Sequence, residues 1–354
     1  MEHDRLMLRC LQLARNGSGS AAPNPMVGAL LVQGDRILAE GWHRTPGGPH
    51  AERACLEALG GEAVPADAIL YVNLEPCAHH GRTPPCADLL IERGVKRLVV
   101  AHRDPFAQVN GKGLGRLRDA GVEVIEGVLA DEARWINRRF ITSVTAGRPY
   151  VVLKWAQSRD GFIDRPRAEP GPHRISSPQS DVLVHRWRSE EQAILVGSRT
   201  AVHDDPRLDV RHVSGRSPLR VLLDRGGTAP IDSRLFDGAH PTLVFTGKIR
   251  SGIIAEQIII DPAEDPIAIM LDAFNQRSIR SILVEGGAEL HGHFLREGLW
   301  DEARVITGSM AFGSGTPAPV MATSPCRIES CGPDRIAYFT NSTQQKQPRG
   351  SWHW

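Results

Sequence analysis

The chain has 354 residues, 41% of them hydrophobic and 23% charged, the profile of an ordinary globular protein and not of a disordered or fibrous one. Lys and Arg (42) nearly balance Asp and Glu (41), which argues against a nucleic-acid binder relying on a basic surface but leaves room for a small phosphorylated ligand held by a few arginines. No apolar run nears the roughly 20 residues that span a bilayer, and the length favours two domains.

The N-terminal stretch MEHDRLMLRCLQLARNG spaces its apolar residues at helical intervals among charges, so it predicts a helix and not a signal peptide. The expected location is therefore the cytoplasm, where thiols stay reduced and clustered cysteines bind metal more often than they form disulfides. Residues 26–33 and 36–43 flank Gly34-Asp35 and predict a hairpin, because that pair tolerates positive φ in a tight turn. Next come a helix over 51–60 that stops at a glycine, a buried strand over 68–74, a helix over 87–94 and a strand over 96–102. A helix over 113–121, a strand over 122–129 and one helix over 131–144 complete an α/β layered domain. AGRP (146–149) marks a boundary. Beyond it strands are expected at 150–156, 193–198, 219–224, 242–247, 256–261 and 281–286, with a helix over 180–190. The proline-rich stretch 162–174 is long and irregular enough to be a functional loop. The tail from 344 has no period and is expected to be loose.

Chemistry concentrates at GGPHAERACLEALG (47–60) and NLEPCAHHGRTPPC (73–86). Together they read His-x-Glu, a gap, then Pro-Cys and a second Cys, the signature of zinc-dependent deaminases. One imidazole and two thiolates (His50, Cys77, Cys86) can hold zinc and leave the fourth position for water. A carboxylate that is not a ligand, Glu52, then carries the proton from water to ring nitrogen and on to departing ammonia. A closed structural site taking His79 or His80 as fourth ligand is the competing reading, and it leaves Glu52 without a task.

The spacing is distinctive: eight residues, AHHGRTPP, separate the two cysteines where ordinary deaminases have two. LEPC-x-HHGRTPPC, with PNPMVGALLV (23–32), GWHRTPGGPHAE (41–52) and DPFAQVNGKGL (104–114), resembles the bifunctional deaminase–reductase family of riboflavin biosynthesis. The resemblance implies that Asn24, His43, His79 and Arg82 line the deaminase substrate pocket. In the block at 104–111, Phe106-Ala107 and Asn110 stand where the family usually has Asn-Pro and Ala.

The second half continues the likeness in YVVLKWAQSRDG (150–161), RSEEQAILVGSRTAVHDDPRLDVR (188–211) and SILVEGGAEL (281–290). Lys154 inside an apolar strand asks for an anionic partner, and Gly286-Gly287 ahead of a helix lets a phosphate approach free N–H groups. No Gly-x-Gly-x-x-Gly fingerprint is present, so a Rossmann fold is not indicated. The resemblance implies a cytidine-deaminase-like three-layer α/β/α domain (1–146) followed by a dihydrofolate-reductase-like α/β domain (147–343). In the second it implies NADPH at Ala156, Thr200, Asp204 and Gly287, and substrate at Lys154, Arg188, Arg211 and Glu285. Arg174 and Ser176, in PHRIS where the family usually has Ser-x-Trp-Ile-Thr/Ser, are further cofactor candidates. The expected ligands are Zn²⁺, NADPH and a phosphorylated pyrimidine, with no nucleic acid or membrane partner, in a homo-oligomer (dimer or tetramer). Competing readings are a deaminase whose second half no longer reduces, a nucleic-acid base editor and a zinc-stabilised binding module. The first is separated by NADPH oxidation, the second is opposed by the neutral charge, and the third by the fate of Glu52→Gln.

Overall fold

The structure, a computed structural model, describes residues 2–78, 84–106, 109–166 and 173–341. It divides into two compact units, the first ending at Gly147 and the second beginning at Arg148.

The first unit runs α1 (Glu2–Arg15), β1 (Gly28–Gln33), β2 (Arg36–Trp42), α2 (Ala51–Ala58), β3 (Ile69–Leu74), α3 (Cys86–Glu92), β4 (Arg97–His102), α4 (Lys112–Asp119), β5 (Glu123–Glu126), α5 (Ala130–Ile136) and α6 (Arg138–Ala146). The sheet order is β2-β1-β3-β4-β5; β1 is antiparallel to β2 and β3, and β3, β4 and β5 are parallel. Side chains alternate across a strand, and both faces here are apolar. Leu31, Leu70, Val72, Leu98 and Val100 pack on Cys55 of α2, Leu90 of α3 and Leu117 of α4. Leu30, Val32, Tyr71 and Val99 pack on Met7 and Leu11 of α1 and Ile136 of α5. Two cores on one sheet make three layers. The α1–β1 approach is close enough to require glycine: a Cβ on Gly28 would lie 2.2 Å from the Cys10 carbonyl oxygen.

One expectation is corrected. Residues 131–144 form two helices, parted at Asn137 (φ −93, ψ 14). The Asn137 side chain accepts the Met26 N–H at 2.8 Å and donates to the Met26 carbonyl at 3.0 Å. Helical periodicity carries no sign of that partner.

The second unit runs β6 (Tyr150–Gln157), β7 (Phe162–Asp164), α7 (Pro178–Glu190), β8 (Ala193–Gly197), α8 (Ser198–Asp204), β9 (Leu219–Asp224), β10 (Thr242–Thr246), β11 (Glu256–Ile259), α9 (Pro266–Gln276), β12 (Ser281–Val284), α10 (Ala288–Arg296), β13 (Glu302–Thr307), β14 (Thr316–Pro317), β15 (Arg327–Cys331) and β16 (Asp334–Thr340). Its nine-stranded sheet has the order β11-β10-β9-β8-β12-β6-β13-β16-β15. The strands from β11 to β13 are parallel, and β16 and β15 return antiparallel. Val151, Leu153, Leu195 and Leu243 pack beneath Met270 and Phe274 of α9 and Phe294 of α10. Val152, Ile194, Val196 and Leu222 pack on Ala201 of α8 and on Leu235 and Phe236. Trp187 and Val184 of α7 lie over Ile306, Ile336 and Tyr338. Of the proline-rich loop, residues 162–164 form β7, which pairs with β14, and residues 167–172 fall outside the described part, as does the tail from 342.

Candidate active sites

Two helix starts converge in the first unit. His50 immediately precedes α2, in extended conformation (φ −68, ψ 162), and Cys86 opens α3 directly after Pro85. Cys77 lies in the loop leaving β3. The His50 Nδ1 atom is 3.6 Å from the Cys77 sulfur and 3.3 Å from the Cys86 sulfur, and all three donor atoms lie within 4.8 Å of one another. A tetrahedral zinc ion with ordinary Zn–N and Zn–S bonds spaces nitrogen and sulfur about 3.6 Å apart. The donor set and its spacing fit zinc. Cys77 also accepts the Cys86 N–H at 3.3 Å, and the Cys86 thiol and then His50 hold the Cys77 thiol well below its ordinary pKa. The N-terminus of α3, whose first N–H makes that bond, favours the same anionic sulfur.

Glu52 sits in the first turn of α2 and is 3% exposed. Burial pushes its carboxyl up to about 7, the range in which a group can both take and give a proton near neutral pH. Beside His50, His43 is buried, and the two rings meet edge-on at 5.5 Å. The His43 Nδ1 lies 2.9 Å from the Pro49 carbonyl oxygen and its Nε2 lies 3.0 Å from Asn24 Nδ2. The carbonyl can only accept, so Nδ1 carries the proton and Nε2 accepts from the Asn24 amide. Burial lowers the His43 pKa, which keeps this neutral ring. Asn24 and His43 are thus joined next to the triad. His79 and Arg82 lie outside the described residues. The sequence reading passed over Glu75, whose buried carboxylate accepts four backbone N–H groups beyond the metal loop.

In the second unit the expected residues gather at the carboxyl ends of the adjacent parallel strands β8, β12 and β6, where ligands of open α/β sheets bind. Arg188 of α7 donates two hydrogen bonds to Glu285, both 2.8 Å, and Lys154 Nζ lies 3.9 Å from the same carboxylate. Burial alone would raise the Glu285 pKa, but Arg188 and Lys154 outweigh it and hold it down to about 2. Two cations thus share one buried anion. Arg188 also donates to the Asp209 carbonyl at 3.1 Å, and the Arg211 N–H donates to His185 Nδ1 at 3.1 Å. Those bonds pin residues 209–211 to α7, and the Arg211 guanidinium pairs with Asp209.

Gly287 takes φ +52 at the start of α10, whose first turn has no side-chain cap, and its pro-Cβ position is 3.8 Å from Thr200 Oγ1. Ala156 pairs with Ile306 near the end of β6, and Asp204 ends α8. Arg174 and Ser176 both turn to Asp181 of α7, at 2.9 and 3.2 Å, and Arg174 is 69% exposed. Asp181 in turn acts on Lys154 and Arg188 through its charge. His291 was missed. Buried in α10, it reaches the carbonyls of Gly287 (2.8 Å), Val284 (3.1 Å) and Lys154 (3.2 Å), tying the glycine turn to the strand that carries the lysine.

Fold and sites together define a two-headed enzyme: a zinc-type deaminase unit followed by a reductase unit. Residues 1–102 match the cytidine and deoxycytidylate deaminase zinc-binding region, and residues 149–327 match the RibD C-terminal domain. The chain is 38% identical to the riboflavin biosynthesis protein RibD of Aquifex aeolicus (strain VF5), over 94% of this chain and 97% of that protein. It is 35% identical to RibD of Escherichia coli (strain K12), over 89% of each. The crystal structure of a diaminohydroxyphosphoribosylaminopyrimidine deaminase/5-amino-6-(5-phosphoribosylamino)uracil reductase from Thermotoga maritima aligns with a TM-score of 0.88 at 35% identity, over 96% of this chain and 98% of that one. The chain belongs to the RibD family, the bifunctional deaminase–reductases of riboflavin biosynthesis. Among the described residues no helix is long and apolar enough to cross a membrane.

Proposed function

We propose that the first unit hydrolyses 2,5-diamino-6-(5-phosphoribosylamino)pyrimidin-4(3H)-one to 5-amino-6-(5-phosphoribosylamino)uracil and ammonia. The second unit then reduces that product with NADPH to the ribitylamino compound. The activities divide between residues 1–146 and 147–343. The observation that carries this reading is a buried carboxylate two residues from His50, on a helix start that also faces two cysteine sulfurs.

His50, Cys77 and Cys86 hold the metal, which when bound brings the pKa of a water ligand towards neutrality. Glu52 would take one proton from that water as its oxygen adds to the ring carbon and deliver it to the ring nitrogen, then take the second from the resulting hydroxyl and give it to the amine as the carbon–amine bond breaks and ammonia leaves. Asn24 and His43, fixed to each other and to the Pro49 carbonyl, orient the pyrimidine. In the second unit NADPH supplies hydride for C1 of the opened sugar. Ala156, Thr200, Asp204 and Gly287 hold the cofactor, with Arg174 and Ser176 at its rim. Lys154, Arg188 and Arg211 attract the substrate phosphate, and Glu285 fixes the first two cations. A reducing cytoplasm suits a site built on thiolates, and all six cysteines are free. A homo-oligomer completes the reading and is tested by light scattering.

Ammonia release from the diaminopyrimidine and loss of 340 nm absorbance with the deaminated product and NADPH test the two halves separately. No absorbance loss would remove the reductase half of the reading.

A further inference from the structure

We infer that Glu75 is a positioning residue that locks the metal-bearing loop to the segment after β4. Glu75 is 3% exposed and sits at the end of β3, two residues before Cys77. Its Oε2 accepts the N–H groups of Asp104 (3.2 Å) and Gly111 (2.9 Å), so these two residues meet on one oxygen. Its Oε1 accepts those of Gly113 (2.9 Å) and Leu114 (3.3 Å) in the first turn of α4. A carboxylate is the side chain that offers two acceptor oxygens and a charge matched to a helix N-terminus. A glutamine in its place has one acceptor and turns an NH₂ donor towards backbone donors.

The other side of the loop is equally constrained. A Cβ on Gly113 would stand 1.9 Å from the Pro76 carbonyl oxygen, so α4 abuts the residue that precedes Cys77. Gly111 holds φ +86 as the residue before α4, a conformation that favours glycine. Glu75 and Pro76, the two residues that lead into Cys77, are therefore both seated against the glycine face of α4. Side chains that orient metal ligands without touching the ion are worth about 10–100-fold in metal affinity.

This inference rests on the reading of His50, Cys77 and Cys86 as metal ligands, which zinc content of the wild-type protein tests independently. Full-length wild-type, Glu75→Gln, Gly113→Ala and Leu117→Ala proteins are loaded with zinc and titrated with a chromogenic chelator, and amide exchange is followed over residues 109–114. Leu117→Ala is the control: it removes buried volume from α4 without touching the loop. Glu75→Gln and Gly113→Ala are expected to weaken zinc retention about 10–100-fold, with faster exchange at Gly111 and Leu114. Leu117→Ala is expected to retain zinc within about twofold. Reductase turnover, located in the second unit, is expected to stay unchanged in all three. Wild-type zinc affinity in the Glu75 and Gly113 variants overturns the inference, and so does a loss in Leu117→Ala equal to theirs, since that loss is general loosening. Should Glu75→Gln fail to fold, Gly113→Ala decides alone.

Discussion

At the residue scale the account depends on which charge state each buried group keeps. Glu52 has the geometry of a proton carrier, so Glu52→Gln is expected to reduce deamination at least about 100-fold, the lower end of general acid–base contributions, while zinc content and NADPH oxidation remain. Ammonia release measured beside zinc analysis checks this. Full deaminase activity in the variant contradicts the role. His185 makes a different kind of statement. Burial, reinforced by Arg188 and Arg211, holds its pKa down to about 4, against about 6.5 in an unfolded chain. The folded state thus keeps a neutral ring that accepts the Arg211 N–H, and the unfolded state protonates first. This contribution to stability is complete above about pH 6.5 and is lost as the pH falls towards 4. The urea midpoint of the second unit is expected to decline across that window, and the decline is expected to shrink in His185→Gln. Equal slopes for the two proteins contradict it.

At the scale of elements, Asn137 shows how a long-range contact ends a helix. Asn137→Ala removes the acceptor of the part-buried Met26 N–H, while the Met26 carbonyl keeps its bond from Asn73 Nδ2 at 3.0 Å. One stranded donor costs about 1–3 kcal/mol, and chemical denaturation of the first unit is expected to show a loss in that range. The same residue marks the limit of sequence reasoning. The strands of the first unit were legible because their apolar runs are bounded by glycines and charged helices, and the split of α5 from α6 was not, because its cause lies 111 residues away. Likewise His50, Glu52, Cys77 and Cys86 declare themselves by spacing and by the softness of their donors. Glu75 and His291 bind backbone groups, and nothing in the identity of a lone glutamate or histidine announces a backbone partner. The strands β13, β15 and β16 were passed over because their residues alternate with charges such as Glu302, Arg304, Arg327 and Glu329, which the fold buries or pairs. α9 carried a readable start: Asp265 accepts the Ile267 N–H ahead of Pro266.

At the scale of the whole molecule, two sites in two units mean two separable activities. Glu52→Gln is expected to keep reduction and lose deamination, and Lys154→Ala the reverse. A mixture of the two variants is then expected to convert the diaminopyrimidine fully to the reduced product, the deaminated product of one variant reaching the reductase unit of the other through solution. Failure of the mixture, with each variant active in its own half-reaction, would mean that the intermediate does not pass through solution. The central claim remains the gathering of one imidazole and two sulfurs around a cation with an open position. X-ray absorption at the zinc edge of the wild-type protein tests it most directly. The account expects one zinc per chain with two sulfurs at about 2.3 Å and light-atom ligands, one an imidazole nitrogen, at about 2.0 Å. A shell without sulfur, or a spectrum unchanged when Cys77 and Cys86 are both replaced by serine, would contradict it.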